Sequence, residues 1–391
     1  MNRNNRIELI DLIRGTALLG ILLMNIRLFS QPYAVYFNPL AYGDYQGLNK
    51  LWWDLQYIVA DQKFMAIFSM LFGASTALVC DQYAKKELNC VVIFGRRMAV
   101  LFVIGLIHSY LIWHGDILVS YSICSLVPFL LRNTHWRVSL MVGISCLVIG
   151  SAISYSSYLS ISSLPNHVQA QIAQTFWSPN SSALGAEIVA FRGDWIDQFT
   201  ARIYMAFHFQ TESFINWGLW RISGLMLLGV SAYRSGLLTG QFRLTRYTQI
   251  GVISGILGLI LISLGYYFNN VENWTFAASF FKNNLWNYWG SVLLALSYIC
   301  LLAIIIKKQY LNYLTGHLRN IGRTALSNYL LQSLMCTGIV YGFNLFARLD
   351  AIQSASLVLS VWLTQTMMTH YWLKYNAMGP VERIWRKLTL A

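Results

Sequence analysis

The chain has 391 residues, of which 56% are hydrophobic and only 11% charged, where an ordinary soluble domain is roughly a quarter charged. That composition excludes disorder, and six Pro with six scattered Cys exclude collagen-like and disulfide-dense scaffolds. It argues against a soluble enzyme, so the net charge of +13 reads as membrane orientation, with no nucleic-acid partner.

Ten hydrophobic stretches approach the roughly 20 residues that cross a bilayer. They are 11–29, 59–80, 95–113, 117–132, 138–161, 214–233, 249–268, 286–306, 325–347 and 354–373. The expected fold is an all-α polytopic membrane protein with about ten transmembrane helices. The third and fourth meet in a tight hairpin at His114-Gly115-Asp116. With the N-terminus inside, twenty of the 28 Lys and Arg, from Arg3 and Arg6 to Arg386 and Lys387, fall on the cytoplasmic side. This positive-inside pattern places both termini in the cytoplasm. No cleavable signal peptide is expected.

Residues 162–213 form one long extracytoplasmic loop between a five-helix half, 1–161, and a second, 214–391. Charge and aromatics at helical spacing over Ala186–Trp195 predict one or two amphipathic helices there, read as a structured cap rather than a lid. No internal repeat and no obviously broken helix is visible, which speaks against an inverted-repeat transporter. Cys80 and Cys90 fall at a cytoplasmic connection and the other four in spans, so no disulfide is expected. No spacing suggests a metal site.

Ionisable groups inside a membrane are costly and therefore informative. Asn25, Lys63, His108 and Asp116 all fall toward the outer ends of the first three spans. His108 is the best placed general base, because imidazole titrates near neutrality. Asp116 or Lys63 would tune it, and Asn25 would orient a substrate. Arg27 and Arg221 are outer-half cations suited to binding substrate. The blander readings are concrete. An intramembrane His often only bonds a neighbouring helix, worth about 1 kcal/mol. Asp116 can cap the next helix, and Lys63 can snorkel. His114 reads as interfacial.

A second stripe enters from the cytoplasm. Asn328 and Gln332 are four apart on one helix face, with Arg323 and Ser327 on the adjoining one. With Arg97 on the same side, these residues could receive cofactor phosphates. The alternative is polar glue between helices.

Several strings resemble the YeiB family of bacterial inner-membrane proteins. They include Asp11-Leu12-Ile13-Arg14-Gly15, Leu18 to Asn25, Lys63-Phe64, Leu71-Phe72-Gly73, Gly105-Leu106-Ile107-His108 and Gly115-Asp116-Ile117-Leu118. Gly322 to Gln332 and Gly379-Pro380-Val381-Glu382 complete the likeness. His114 does not match a family position. More distantly, Asp11, Arg14, Gly15 and Asn25 are similar to the first span of heparan-α-glucosaminide N-acetyltransferase. That resemblance implies acetyl or acyl transfer from cytosolic acyl-CoA to an extracytoplasmic hydroxyl or amine, without a metal. The heparan enzyme has its catalytic His soon after that Asn, whereas Phe29 to Lys50 here contains none, and His108 is the substitute candidate. The expected partners are membrane lipids and a small-molecule, glycan or lipid acceptor, with homo-oligomers compatible. The competing reading is a small-solute exporter of the inner membrane, and a third is a lipid-binding scaffold.

Overall fold

Where neither water nor a neighbouring strand can satisfy the backbone, an apolar segment closes its own hydrogen bonds as helix. The computed structural model describes residues 7–390, so Arg3 and Arg6 lie outside it. Among the described residues there is helix and no strand. The first elements are α1 (Glu8–Ser30), the short α2 (Tyr33–Phe37), α3 (Gly47–Leu55), α4 (Lys63–Ala84) and α5 (Cys90–Ile107). Next come α6 (Leu118–Cys124), α7 (Leu126–Leu130), α8 (Trp136–Ser162), α9 (Asn166–Phe176), α10 (Ser182–Arg192) and α11 (Trp195–Gln210). The C-terminal part holds α12 (Leu219–Arg234), α13 (Leu244–Val271), α14 (Asn284–Lys307), α15 (Asn312–Arg323), α16 (Ala325–Val340), α17 (Ala351–Tyr375) and α18 (Pro380–Leu390).

Among the described residues, six helical stretches are long and apolar enough to cross a membrane: Glu8–Ser30, Gly47–Ala84, Cys90–Ile112, Trp136–Ser162, Leu244–Val271 and Ala278–Lys307. They mark the chain as a membrane protein. The fourth expected stretch folds as the short pair α6 and α7, Leu118–Leu130, about 20 Å at 1.5 Å per residue. The long loop is corrected from one or two helices to three, α9 to α11. It is docked rather than loose. Trp177 donates its indole N–H to Trp274 O (2.7 Å), and Arg192 donates to the carbonyls of Phe346 and Ala347.

Helix breaks also correct the sequence reading. The second stretch runs from α3 through a wide π-helical turn at Gln56–Ala60 and breaks at Asp61-Gln62, where Gln62 turns left-handed with φ 61°. Similar wide turns occur at His108–Ile112, Phe214–Gly218 and Ala278–Lys282. Such turns mark strained or functional helix positions. Polar clusters adjoin three of the four.

Both halves contribute to one interior. A single apolar cluster joins Leu12, Ile13 and Phe64 to Leu225, Tyr288 and Ile299. In the Asp-x-x-Arg-Gly string the glycine acts through packing. A Cβ on Gly15 would collide with Leu318 O, and one on Gly322 with Asp11 O, so α1 and α15 cross backbone to backbone. The absence of a disulfide is likewise corrected. The turn 85–89 folds α5 back on α4, and Cys80 and Cys90 bond with their Cα atoms 5.5 Å apart. Compartment sets the redox balance, whereas the fold sets which cysteines meet.

Candidate functional site

His108 opens the wide turn that ends α5, after which Trp113 leaves the helix extended and the chain reverses. Gly105, one turn earlier, lets α6 approach: a Cβ there would meet Val119 N at 2.7 Å and Asp116 Oδ2 at 3.1 Å. Asp116 uses its two oxygens separately. Oδ2 accepts the Val119 N–H at 2.9 Å and caps α6, while Oδ1 lies 2.8 Å from His108 Nδ1. Both side chains are sealed, at 1% and 2% exposure. An imidazole that gives its Nδ1 proton to a carboxylate presents the lone pair of Nε2. Here His108 Nε2 is buried with no hydrogen-bond partner among the described residues. The Tyr329 ring of α16 is 5.1 Å away, its hydroxyl also buried and unpartnered. Trp113 stacks on Phe29 of α1 at 4.0 Å, so this pair sits between α1 and α16.

Lys63 belongs to a different group. Its ammonium donates to Tyr57 O (2.6 Å) and Asn287 Oδ1 (2.7 Å), and the Asn287 amide donates to Asp61 Oδ2 (2.6 Å). Tyr36 donates its hydroxyl to the other Asp61 oxygen. Arg27 donates to Gln56 Oε1 (2.7 Å), Trp53 O (2.9 Å) and Tyr36 O (3.3 Å), with its guanidinium 4.4 Å from the Trp53 ring centre. Arg221 is held by Tyr288 O (3.0 Å) and Ser291 Oγ (2.7 Å), and lies 3.9 Å from the Tyr288 ring centre. Lys63 and Arg221 are fully buried. No hydrogen bond joins this group to His108 and Asp116 among the described residues. Asn25 is buried and makes no hydrogen bond within them.

The outer candidates thus fall into two sets, the His–Asp pair and the Arg27–Asp61–Lys63–Arg221 cluster. A cavity of about 470 Å³ opens beside the second, lined by Arg27, Gln56, Trp52, Trp53, Tyr42 and Arg348 among others. Sequence reasoning did not name Asp61, Asn287 or Tyr329 as site residues. Asp61 stands two residues before Lys63 and was legible as an intramembrane carboxylate, but nothing in the string pairs it with Asn287.

The cytoplasmic stripe is corrected in one respect. The helix breaks at Thr324, so Arg323 ends α15 and does not share a helix with Ser327. Asn328 and Gln332 do share a face of α16. Asn328 donates to Thr324 and to Thr369 Oγ1 (3.0 Å), and Gln332 donates to Gln365 Oε1 (3.0 Å). Gln365 in turn donates to Asn328 O (2.7 Å). Ser327 donates its hydroxyl to Glu382, whose carboxylate also accepts the N–H groups of Leu326 and Ser327 and so caps α16. Arg323 reaches Ala377 O (3.1 Å), and Arg97 lies 4.1 Å over the Trp385 ring. A cavity of about 530 Å³ adjoins them, lined by Ala377, Met378, Arg383, Arg386, Lys387 and Leu390.

Residues 232–391 match the model of a family described as "Protein of unknown function (DUF418)". The chain is 28% identical to the uncharacterized protein YeiB of Escherichia coli K12, over 97% of this chain and 95% of that one. It is 24% identical to the uncharacterized protein YxaH of Bacillus subtilis 168, over 99% and 94%. It is 25% identical to an uncharacterized 39.9 kDa protein from the amylase 3′ region of Bacillus acidopullulyticus, over 99% and 94%. Full-length likeness to YeiB and YxaH, with the DUF418 match running from the end of α12 through α18, supports the YeiB family for this chain.

Proposed function

We propose that the protein is a transmembrane acyltransferase of the bacterial cytoplasmic membrane, moving an acyl group from cytosolic acyl-CoA to an extracytoplasmic hydroxyl or amine. The observation that carries this reading is the sealed His108–Asp116 pair with a free Nε2. Asp116 fixes the tautomer, and Nε2 takes the proton of the acceptor as its oxygen or nitrogen attacks the thioester carbonyl. The tetrahedral oxyanion then collapses, and the CoA thiolate leaves with a proton returned by His108. Asn25 shares the Leu22–Phe29 face of α1 that packs on Trp113, and its unpaired amide is suited to the oxyanion. Tyr329 links the pair to α16, where Asn328 and Gln332 begin the route toward the donor side. Arg323, Arg97 and the basic cavity at Arg383, Arg386 and Lys387 are suited to CoA phosphates. This reading takes ten crossings with both termini cytoplasmic, the α9–α11 cap outside, and the short α6–α7 pair and the helices α12, α16 and α17 filling the bundle.

Transport of a small solute is the second reading. It is favoured by the break at Asp61-Gln62 and by an outer cavity that reaches Arg27 rather than His108. Thermal unfolding with and without acetyl-CoA separates the two, since a ligand stabilises the state it binds. Acyl transfer predicts a saturable rise in Tm with wild type that is lost in Arg323→Ala and kept in His108→Ala. No response to acetyl-CoA or longer acyl-CoAs favours transport.

A further inference from the structure

The Arg27–Asp61–Lys63–Arg221 cluster does not balance its own charge. Arg27 is 4% exposed, and Lys63 and Arg221 are fully enclosed. Arginine does not give up its proton in proteins, so Arg27 and Arg221 contribute two positive charges at any working pH. Asp61 offsets one of them. Whether or not Lys63 holds its proton, the cluster stays net positive. The other nearby carboxylates are engaged elsewhere: Asp54 with Lys50 (2.7 Å) and Glu272 with Lys282 (2.7 Å). At the cavity rim Asp44, Arg348 and Asp350 are exposed, so solvent screens these two carboxylates from the buried floor. Two buried polar atoms in the cluster, Arg221 Nε and Tyr57 Oη, have no partner among the described residues. Buried net charge is costly unless a counter-charge is supplied.

The open side of this cluster is the 470 Å³ cavity, and Arg27 is the member that lines it. Its walls there are Trp52, Trp53 and Tyr42, with Gln56 beside the guanidinium. We propose that this cavity binds a ligand carrying an oxyanion, a carboxylate or phosphate, seated against Arg27, with an apolar or ring-bearing body on the aromatic walls. The buried Arg221 acts behind it as a fixed positive charge that focuses the potential into the cavity. Naming this ligand as the acyl acceptor rests on the acyl-transfer reading. The binding itself does not.

The test uses the full-length protein in detergent, without acyl-CoA, so its failure leaves the acetyl-CoA experiment standing and the reverse also holds. Thermal unfolding and tryptophan fluorescence are followed while sodium acetate, sodium benzoate or sodium phosphate replaces sodium chloride at constant ionic strength. Tetramethylammonium chloride is the cation control. The expected result is a saturable rise in Tm and a change in fluorescence from Trp52 and Trp53 with at least one oxyanion and none with the cation, benzoate binding more tightly than acetate. Arg27→Gln weakens the apparent affinity about tenfold or more. Should Arg27→Gln fail to fold, Trp52→Ala, on the half-buried wall, removes the preference for benzoate over acetate. The proposal is overturned if every salt gives one melting curve, or if the oxyanion response is unchanged in the variant that folds.

Discussion

In the proposed reaction His108 serves as the base because of where Asp116 stands. Eight residues of chain, a wide helical turn and a capped helix start bring a carboxylate to Nδ1, and no group among the described residues takes Nε2. Asp116→Asn keeps an oxygen for the Val119 N–H but loses the fixed tautomer. Its expected effect on acyl-CoA turnover is a fall of about 10²-fold or more with the acetyl-CoA affinity unchanged, read by steady-state kinetics beside calorimetric binding. An equal loss of binding would make Asp116 a structural cap alone. The sequence offered His108 and Asp116 as neighbours across a hairpin, and the pairing was legible from the Gly115-Asp116 turn. It also grouped Lys63 with them, and there linear position misled. Outer-leaflet depth is readable from span ends, but azimuth around the bundle is not. Lys63 starts α4 after a left-handed Gln62 and turns to Asn287 and Asp61, on the other side of the bundle.

At the scale of elements, two contacts carry distinct predictions. The crossing of α1 and α15 allows no side chain at Gly15 or Gly322. Gly15→Val forces the backbones apart, an overpacking of at least about 1–3 kcal/mol, seen as a Tm lowered by several degrees or as loss of folded protein on size exclusion. The α10 contact is pH-dependent. Burial lifts the Glu187 carboxyl from its ordinary value of 4.5 to about 7, although the Tyr33 N–H donated to it at 3.0 Å pulls the other way. Between 4.5 and about 7 the docked state holds a proton that the released state gives up, so docking is strongest at low pH and weakens as pH rises through that window. Amide exchange over Ser182–Arg192 should therefore quicken from pH 5.5 to 8 beyond the intrinsic chemical rate, and Glu187→Gln should remove the excess. The presence of helix in this loop was legible from its charged and aromatic spacing. Its third helix was not, because α9 is largely polar and reads as linker. The break before α16 was hidden for a related reason: Thr324 sits inside a string with no Gly or Pro at the break itself.

For the whole molecule, apolar content announced a membrane protein, and all ten expected stretches contain helix. What composition could not show is how they divide the work. α6 and α7 together extend only about 20 Å at 1.5 Å per residue, and α12 and α16 have 16 residues each. The basic residues at alternate connections predict a direction. A reporter that matures only in the cytoplasm, fused after Ala391, should be active, and a cysteine placed at exposed Ser182 should react with a membrane-impermeant maleimide added to intact cells. An inactive reporter or a protected residue 182 would reverse the orientation and put the His–Asp pair on the wrong leaflet for an external acceptor.

The most direct test of acyl transfer is thiol release. Purified protein in lipid nanodiscs is incubated with acetyl-CoA, and free CoA is measured over time for wild type, His108→Gln and Arg323→Ala. Acyl transfer to water or to a supplied amine predicts steady CoA release by wild type, a drop of about 10²-fold or more in His108→Gln with acetyl-CoA still bound, and weakened binding in Arg323→Ala. Release that is absent in wild type with every acyl-CoA and acceptor supplied, or unchanged in His108→Gln, would contradict the account.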